Sequence, residues 1–212
     1  MNKTNISKYI SPHYIALSLL LIFSFLPSRA VTAQEAFQKG KNAISSAKTI
    51  SATFSMKTGG QTITGKLLAK GKKFAITSGV TSNWYNGTDL YTYVSSKGET
   101  TIFRPTSQEL AQVNPLLYLQ SSSNYNVTAT KAKKAGLETV VLIPKTNSTG
   151  VKSVTIDLDA KTYLPKSIKI VPSSGGAIDL TISNIKLNSN IADSSFAYPK
   201  NSYPKARIVD MR

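Results

Sequence analysis

Apolar and polar residues alternate from residue 49 onward, and this period of two constrains the fold more than any other feature of the sequence. In the first such segment the apolar positions are Ile50, Ala52, Phe54 and Met56. The alternation returns over residues 153–158, 167–170 and 178–183, with Pro, Gly, Asn or Ser residues between the segments. This pattern is typical of strands with one buried face, and short connections favour antiparallel pairing. The sequence therefore predicts a mainly β protein.

Local signals refine the predicted sheet. Asn86 and Gly87 both tolerate positive φ and predict a hairpin turn. The alternation changes phase at Asn184, which predicts a β-bulge. Residues 139–143 form a continuous β-favouring run, which suggests a strand covered on both faces. The tail from Asn201 is expected to be extended and peripheral.

A strongly apolar helical insert follows the first group of strands. Thr106 and Glu109 form a predicted capping box, in which each side chain accepts a hydrogen bond from the backbone N–H of the other residue. Pro115 lacks an N–H and breaks the helix, so we expect Asn114 to cap a second short helix. Such an insert is either a packed core element or a movable lid. The candidate lid residues are Leu110, Val113, Pro115, Leu116 and Leu117.

Another short helix is predicted over residues 35–47, with Phe37, Ile44 and Ala47 roughly on one side. A sheet with one apolar face must bury that face against another layer, and the two helical segments are the only cover that the sequence provides. We therefore predict a curled antiparallel sheet, an incomplete β-barrel, lidded by an N-terminal helix and a helical insert.

A curled sheet under two short helices either fills its centre with side chains or leaves room for an apolar ligand. Periodicity alone does not separate these alternatives. The candidate cavity-lining residues are Phe54, Met56, Leu67, Phe74, Trp84, Leu90, Ile156 and Ile170. For each of them, an ordinary place in the hydrophobic core is the alternative.

The first 33 residues have the pattern of a secretory signal peptide. Lys3 and Lys8 give a basic start, residues 15–26 form an apolar run, and small residues precede a cleavage point near Ala33. An uncleaved N-terminal anchor is the alternative. We expect a mature single domain over residues 34–212.

Residue types that are absent limit the chemistry. The chain contains no cysteine, and its only histidine, His13, lies in the predicted signal peptide. The mature chain therefore lacks the side chains of Ser-His-Asp and Cys-His catalysis and of His-based zinc sites. We expect no enzymatic activity, no metal and no cofactor. The remaining catalytic alternative is a carboxylate enzyme that uses Asp157 and Asp159, which share one strand face beside a predicted turn.

The formal net charge is +16, and most of the cations are lysines. Such a surplus is mostly a solvated surface, or it attracts an anionic partner such as lipid headgroups or an acidic protein. Nucleic acid is not expected for an exported chain without any nucleic-acid-binding motif. The densest cluster, Lys131, Lys133 and Lys134, is expected in a solvated hairpin loop.

Several segments together resemble the LolA-like periplasmic lipoprotein carrier family. They are, in order, residues 65–74, 85–93, 114–117, 196–199 and 209–210. The resemblance implies a half-barrel with a helical lid and a hydrophobic cavity. It also implies a periplasmic carrier that binds acyl chains of lipoproteins or lipids and moves them toward the outer membrane. The same fold also serves outer-membrane receptors and lipid carriers with other cargo.

The resemblance further implies an inner-membrane release complex and an outer-membrane receptor as partners of a monomeric carrier. The family commonly has an Arg-Pro pair that latches the lid, where this chain has Lys70-Gly71. Lys70 is therefore a latch candidate without the planar guanidinium fork. The alternative function is an exported, non-catalytic binding or adhesion module with a filled core, which would use Tyr91 and Tyr93 on a flat face.

Overall fold

A single twelve-stranded sheet is the main element of the computed structural model, which describes residues 31–120, 122–130, 134–146 and 150–212. Strands β1 to β12 are, in order, Thr49–Thr58, Gln61–Lys70, Lys73–Ser78, Thr81–Tyr85, Leu90–Val94, Glu99–Phe103, Tyr125–Ala129, Leu137–Pro144, Val151–Asp159, Pro165–Pro172, Ile178–Leu187 and Arg207–Asp210. The signal-peptide prediction, apart from its last three residues, lies outside the described residues, and so do Lys131 and Lys133.

The sheet does not close into a barrel. Its order is β12-β6-β5-β4-β3-β2-β1-β11-β10-β9-β8-β7, so β12 and β7 are the two edges. Every neighbouring pair is antiparallel except β12 and β6, which are parallel. The mainly β, curled half-barrel predicted from the sequence is confirmed. We call the face that carries Leu67 and Ile76 the inner face, and the face that carries Trp84 and Asp157 the outer face.

The predicted hairpin at Asn86 and Gly87 and the predicted β-bulge at Asn184 are both confirmed. Asn86 begins the loop between β4 and β5, and its Oδ1 accepts hydrogen bonds from the N–H groups of Thr88 and Asp89, each at 2.9 Å. At Asn184, which has a φ of 52°, β11 has one more residue than β1 between their paired positions. Asn184 Nδ2 donates to Thr53 Oγ1 at 3.0 Å. This β-bulge keeps the apolar side chains of β11 on the inner face despite the change of phase in the sequence.

Two expectations about strands need correction. Strand β8 buries Val140 and Leu142 on the inner face, but Ile143 on the outer face is 39% exposed, so the strand is not covered on both faces. The outer face of an antiparallel sheet can remain in water, which a continuous β-favouring run does not reveal. The C-terminal tail from Asn201 is mostly exposed, as predicted, but it begins within a 3-10 helix over Lys200–Ser202, and its residues Arg207–Asp210 join the sheet as β12.

Helix α1 spans Ala33–Ser45 and packs against β7 and β8. Thr32 is its N-cap, and the Thr32–Glu35 pair forms a capping box. The helix buries Phe37 and Ile44, two of the three residues that the sequence placed on its apolar side, whereas Ala47 lies beyond its end. A cleavage after Ala33 would remove Thr32 and with it this cap, which is typically worth about 1 kcal/mol.

Helix α2 spans Ser107–Val113, and a 3-10 helix over Pro115–Leu119 follows it directly. Thr106 and Glu109 form the predicted capping box, with the Glu109 carboxylate 2.8 Å from the Thr106 N–H. Asn114 caps the 3-10 helix, because its Oδ1 accepts from the Leu116 N–H at 3.2 Å. The two-part insert predicted from Pro115 is therefore confirmed. In the described part of the chain, no helix is long and apolar enough to cross a membrane.

The segment after β11, residues 188–212, covers part of the outer face, and we call it the C-terminal segment. Ile191 and Phe196 pack with Trp84 and Ala75, and Tyr198 lies parallel to Tyr91, with 5.7 Å between the ring centroids. The last residue described, Arg212, donates to Asp89 at 2.8 Å. The segment is therefore held at both ends, by aromatic packing and by an ion pair.

Gly65 gives a first testable prediction. It pairs with Phe54 across β1 and β2, and a Cβ added there would collide with the carbonyl oxygen of Thr77 and lie 2.7 Å from Cε1 of Phe54. We expect Gly65→Ala to lower the free energy of unfolding by about 1–3 kcal/mol, because backbone and a packed ring must move. Urea denaturation measures this. Gly79→Ala is the control, since a Cβ there meets no atom within 4 Å; equal losses at both positions would contradict the prediction.

Candidate functional site

An apolar cavity of about 350 Å³ lies on the inner face, between the sheet and the helical insert. Its floor comes from strands at the centre of the sheet, and these side chains are Ala52, Phe54, Met56, Ile63, Leu67, Ile76, Ile170, Ile178, Leu180 and Ile182. Its volume is within the range of small-molecule sites, which is about 300–1,000 Å³. The structure therefore leaves space where the sequence allowed either a cavity or a filled core.

The chemical character of the cavity changes along one row of paired residues. Leu67 pairs with Ile76, Ile76 with Asn83, and Asn83 with Thr92, and all four line the cavity. Thr92 Oγ1 donates to Asn83 Oδ1 at 2.8 Å, so a hydrogen bond joins these two polar side chains. None of the residues that line the cavity is charged. A mostly apolar wall without charged side chains suits an apolar ligand.

The helical insert forms the roof of this cavity. Gln112, Val113, Pro115 and Leu116 line it from above. Asn114 is buried between the two helices of the insert, where its N–H donates to the Leu110 carbonyl at 2.8 Å. The break at Pro115 thus places two different short helices, rather than one rigid rod, over the opening.

A second cavity, also of about 350 Å³, lies on the other side of Leu116, which lines both cavities. It is formed by the end of α1, the turn between β2 and β3, and the helical insert. Its wall combines apolar side chains, among them Ile50, Phe74 and Leu117, with three lysines of the β2–β3 turn. The two cavities therefore differ in charge.

The structure brings seven of the sequence-predicted residues to the first cavity. They are Phe54, Met56, Leu67, Ile170, Val113, Pro115 and Leu116. Three further predicted residues, Phe74, Leu110 and Leu117, line the second cavity instead. The five of these that belong to strands lie on the inner face, as the strand phase predicted. The other five lie in the insert that covers this face.

Three other predicted residues line neither cavity. Trp84 lies on the outer face, because its neighbours Asn83 and Tyr85 are the residues of β4 that face inward. Leu90 and Ile156 lie in the core and are 0% exposed. Ile156 pairs with Val140 and Ile168 in the part of the sheet that α1 covers, so no space remains above it.

Lys70 does not contact the insert through any hydrogen bond of the described residues. Its Nζ lies 2.7 Å from Asp193 Oδ1 and 3.4 Å from the Ile191 carbonyl oxygen, both in the segment after β11. Lys73 Nζ lies 3.2 Å from the other oxygen of Asp193. These bonds hold the pKa of the Asp193 carboxyl below its usual value. The latch expected from the resemblance therefore ties down the C-terminal segment rather than the lid.

Several cavity residues were missed by sequence reasoning. The apolar residues of β11 had a detectable signal, because Ile178, Leu180 and Ile182 alternate as clearly as the residues that were chosen. Asn83 and Thr92 had none, since a polar residue in a short strand gives no indication that it faces inward. Only the pairing of β4 with β3 and β5 assigns their face.

The two carboxylates of the catalytic alternative have structural roles. Burial raises the pKa of the Asp157 carboxyl, but hydrogen bonds from Lys134 at 2.5 Å, Thr139 at 2.6 Å and Ser167 at 2.7 Å outweigh it and hold the pKa below its usual value. Backbone N–H groups of the next turn lower the pKa of Asp159 in the same direction. Carboxylate enzymes instead need one carboxyl with a raised pKa as general acid.

The described residues offer neither a metal site nor the flat tyrosine surface of the adhesion alternative. They contain no group of three or more His, Cys, Asp or Glu side chains that could hold a metal ion. The tyrosines of the adhesion alternative, Tyr91 and Tyr93, are not on a bare surface. Both are half-buried, and their rings pack against Tyr198 and Tyr203 of the C-terminal segment.

The model of a family described as outer membrane lipoprotein carrier protein LolA matches residues 23–195. The chain therefore belongs to the LolA family of outer membrane lipoprotein carrier proteins. The resemblance noted from segments 65–74 and 85–93 is confirmed. Among curated protein sequences, no significant match was found.

Several solved structures are similar to this chain at low sequence identity, and one of them has a TM-score above 0.5. An uncharacterized conserved protein from Thermus thermophilus is 13% identical, with a TM-score of 0.56 over 84% of this chain and 98% of that chain. A DUF1329 family protein from Desulfovibrio piger is 12% identical, with a TM-score of 0.48 over 80% and 98%. A LolA superfamily protein from Nitrosomonas europaea is 13% identical, with a TM-score of 0.44 over 80% and 99%.

Two matched substitutions distinguish a cavity-lining position from a core position. Leu67 lines the cavity, whereas Ile156 is fully buried away from it. We expect Leu67→Trp to fill the cavity, retain stability and weaken binding of an apolar dye. Ile156→Trp should overpack the core and lower the free energy of unfolding by about 1–3 kcal/mol. Urea denaturation and dye titration of both variants measure this; equal destabilisation without any change in binding would show that Leu67 is ordinary core.

Asp157→Asn tests the structural role of that carboxylate. We expect the free energy of unfolding to fall by about 1–3 kcal/mol at neutral pH, because charged hydrogen bonds to a side chain only 6% exposed are lost. Since the pKa of Asp157 is lowered by folding, its contribution is present above about pH 4 and disappears as the pH falls through the folded value. The difference from wild type, measured by urea denaturation, should therefore shrink at low pH. A constant difference would contradict this; Asp179→Asn, at an exposed position, is the control.

Proposed function

We propose that this protein is a non-enzymatic carrier that binds the acyl chains of lipoproteins or lipids in its inner-face cavity. The observation that carries the proposal is the uncharged cavity of about 350 Å³ beneath a two-part helical roof. Membership of a family described as outer membrane lipoprotein carriers supports the same ligand class.

Burial of hydrocarbon is sufficient to drive such binding. Each methylene removed from water contributes about 0.8 kcal/mol, so a single long acyl chain already supplies a substantial binding free energy. No covalent step is required, and the structure offers no paired acid and base in the cavity, which has no charged residue in its lining. Release would then follow when a partner competes for the acyl chain or opens the roof.

The predicted signal peptide and the family membership support export to the periplasm and transport toward the outer membrane. A carrier of this type takes its cargo from an inner-membrane release complex and passes it to an outer-membrane receptor. We propose that the protein acts as a monomer between these two partners. The adhesion alternative has less support, because the open cavity replaces a filled core and the C-terminal segment covers Tyr91 and Tyr93.

Lipid binding is tested directly on the purified protein. Organic extraction followed by mass spectrometry should detect co-purified lipid, and a fluorescent diacylated lipopeptide should bind with saturation. Met56→Glu places a carboxylate in the cavity and should weaken binding at least tenfold, because an acyl chain would have to desolvate the charge.

Ile143→Glu is the matched control, because it adds the same charge at an exposed apolar position on the outer face. The control should bind the lipopeptide like the wild type. Absence of both co-purified lipid and saturable lipopeptide binding in the wild type would reject the carrier proposal. Equal losses in the two variants would mean that the ligand binds outside the cavity.

A further inference from the structure

The second cavity combines an apolar wall with a local surplus of positive charge. Lys70, Lys72 and Lys73 line it around the β2–β3 turn, and no acidic residue is among its lining side chains. Gly71 has a φ of 56°, and this left-handed position lets the chain reverse within two residues. The turn thereby brings three lysines to one end of an otherwise largely apolar space.

The two cavities follow one another along the same strands. Leu67 and Ile76 line the first cavity, and Ala69 and Phe74, two residues further on each strand, line the second. Two residues of a strand span about 6.6 Å, so the cavities are neighbours on the inner face. Leu116 of the roof lines both and is the side chain between them. A ligand that occupies both would therefore pass beneath Leu116.

The three lysines differ in how far they are already neutralised. Lys70 and Lys73 share the carboxylate of Asp193, at 2.7 and 3.2 Å. Lys72 is exposed and forms no ion pair with any residue in the described ranges. Asp193, in the segment that covers the outer face, thus compensates Lys70 and Lys73, and Lys72 keeps an uncompensated positive charge at the edge of the cavity.

We propose that the second cavity is a headgroup site for an anionic amphiphile, whose phosphate or carboxylate group lies at Lys72 of the β2–β3 turn while its acyl chain extends past Leu116 into the first cavity. This inference rests on the proposed carrier function and narrows its ligand class. Apolar residues such as Phe74 and Leu117 line the same space, so the lysines border a passage rather than stand on an isolated solvated turn.

The headgroup preference is measured with ligands that share one alkyl chain. Dodecyl phosphate, dodecanoate and dodecanol compete against a bound fluorescent fatty-acid analogue, and inorganic phosphate is a further competitor without a chain. We expect wild-type protein to bind both anions more tightly than the alcohol. Added salt should reduce this preference, because it screens the exposed charges. Inorganic phosphate alone should not displace the probe.

Two pairs of variants test whether the preference for anions arises at the second cavity. Lys72→Gln should weaken binding of the anions roughly two- to fivefold and leave dodecanol unchanged, as expected for an exposed ion pair. Lys66→Gln removes the same charge from an exposed position that lines neither cavity and should have no effect. Asp193→Asn frees Lys70 and Lys73 and should strengthen anion binding, whereas Asp179→Asn, which frees Lys169 elsewhere, should not.

The outcomes distinguish this inference from the carrier proposal. If dodecanol and the anions all bind and are all weakened by Leu67→Trp, but Lys72→Gln changes none of them, the headgroup site is rejected and the carrier function stands. If Lys66→Gln has the same effect as Lys72→Gln, the preference is a general effect of net charge, and the site is again rejected. If none of the three alkyl ligands binds to the wild type, the carrier proposal itself fails.

Discussion

The central strands of the sheet bury apolar side chains on the inner face, and the rest of the structure depends on how that face is covered. Where α1 lies over β7 and β8, the cover is complete, and Val140, Leu142 and Ile156 are 0% exposed. Towards the centre of the sheet, only α2 and the short helix after it are available. The cavities lie on the two sides of that narrow cover. Empty space here results from a shortage of covering elements rather than from small side chains.

Local interactions determine where the narrow cover begins and ends. A capping box starts α2, Pro115 ends it, and Asn114 joins the two short helices through hydrogen bonds of both its backbone and its side chain. These contacts are all within a few residues of one another. They specify the shape of the roof, in which Leu116 is a shared wall between a neutral space and a basic one.

Features with a signal among residues close together in the chain were predicted from the sequence. The hairpin at Asn86, the bulge at Asn184 and the break at Pro115 each have a signal among neighbouring residues of the sequence, and all three were predicted. Contacts between distant residues were not. The parallel pairing of β12 with β6, and the ion pair between Lys70 and Asp193, join segments that are more than 100 residues apart.

The wrong placement of Trp84 has the same cause. Strand β4 alternates Thr81, Asn83 and Tyr85 with Ser82 and Trp84, and hydrophobicity alone favours the tryptophan as the inward residue. Instead, Asn83 faces inward and Trp84 faces outward, because the outer face of this strand is also covered. The cover is a segment more than 100 residues further along the chain.

The position of Trp84 also determines what an optical signal from this protein would mean. It is the only tryptophan of the chain, and its ring lies against Tyr198 and Tyr203, at centroid distances of 5.6 and 5.8 Å, across the sheet from both cavities. Intrinsic indole emission therefore reports whether the C-terminal segment remains seated on the outer face. A cargo that enters and leaves the inner face without disturbing that segment would leave the tryptophan emission unchanged.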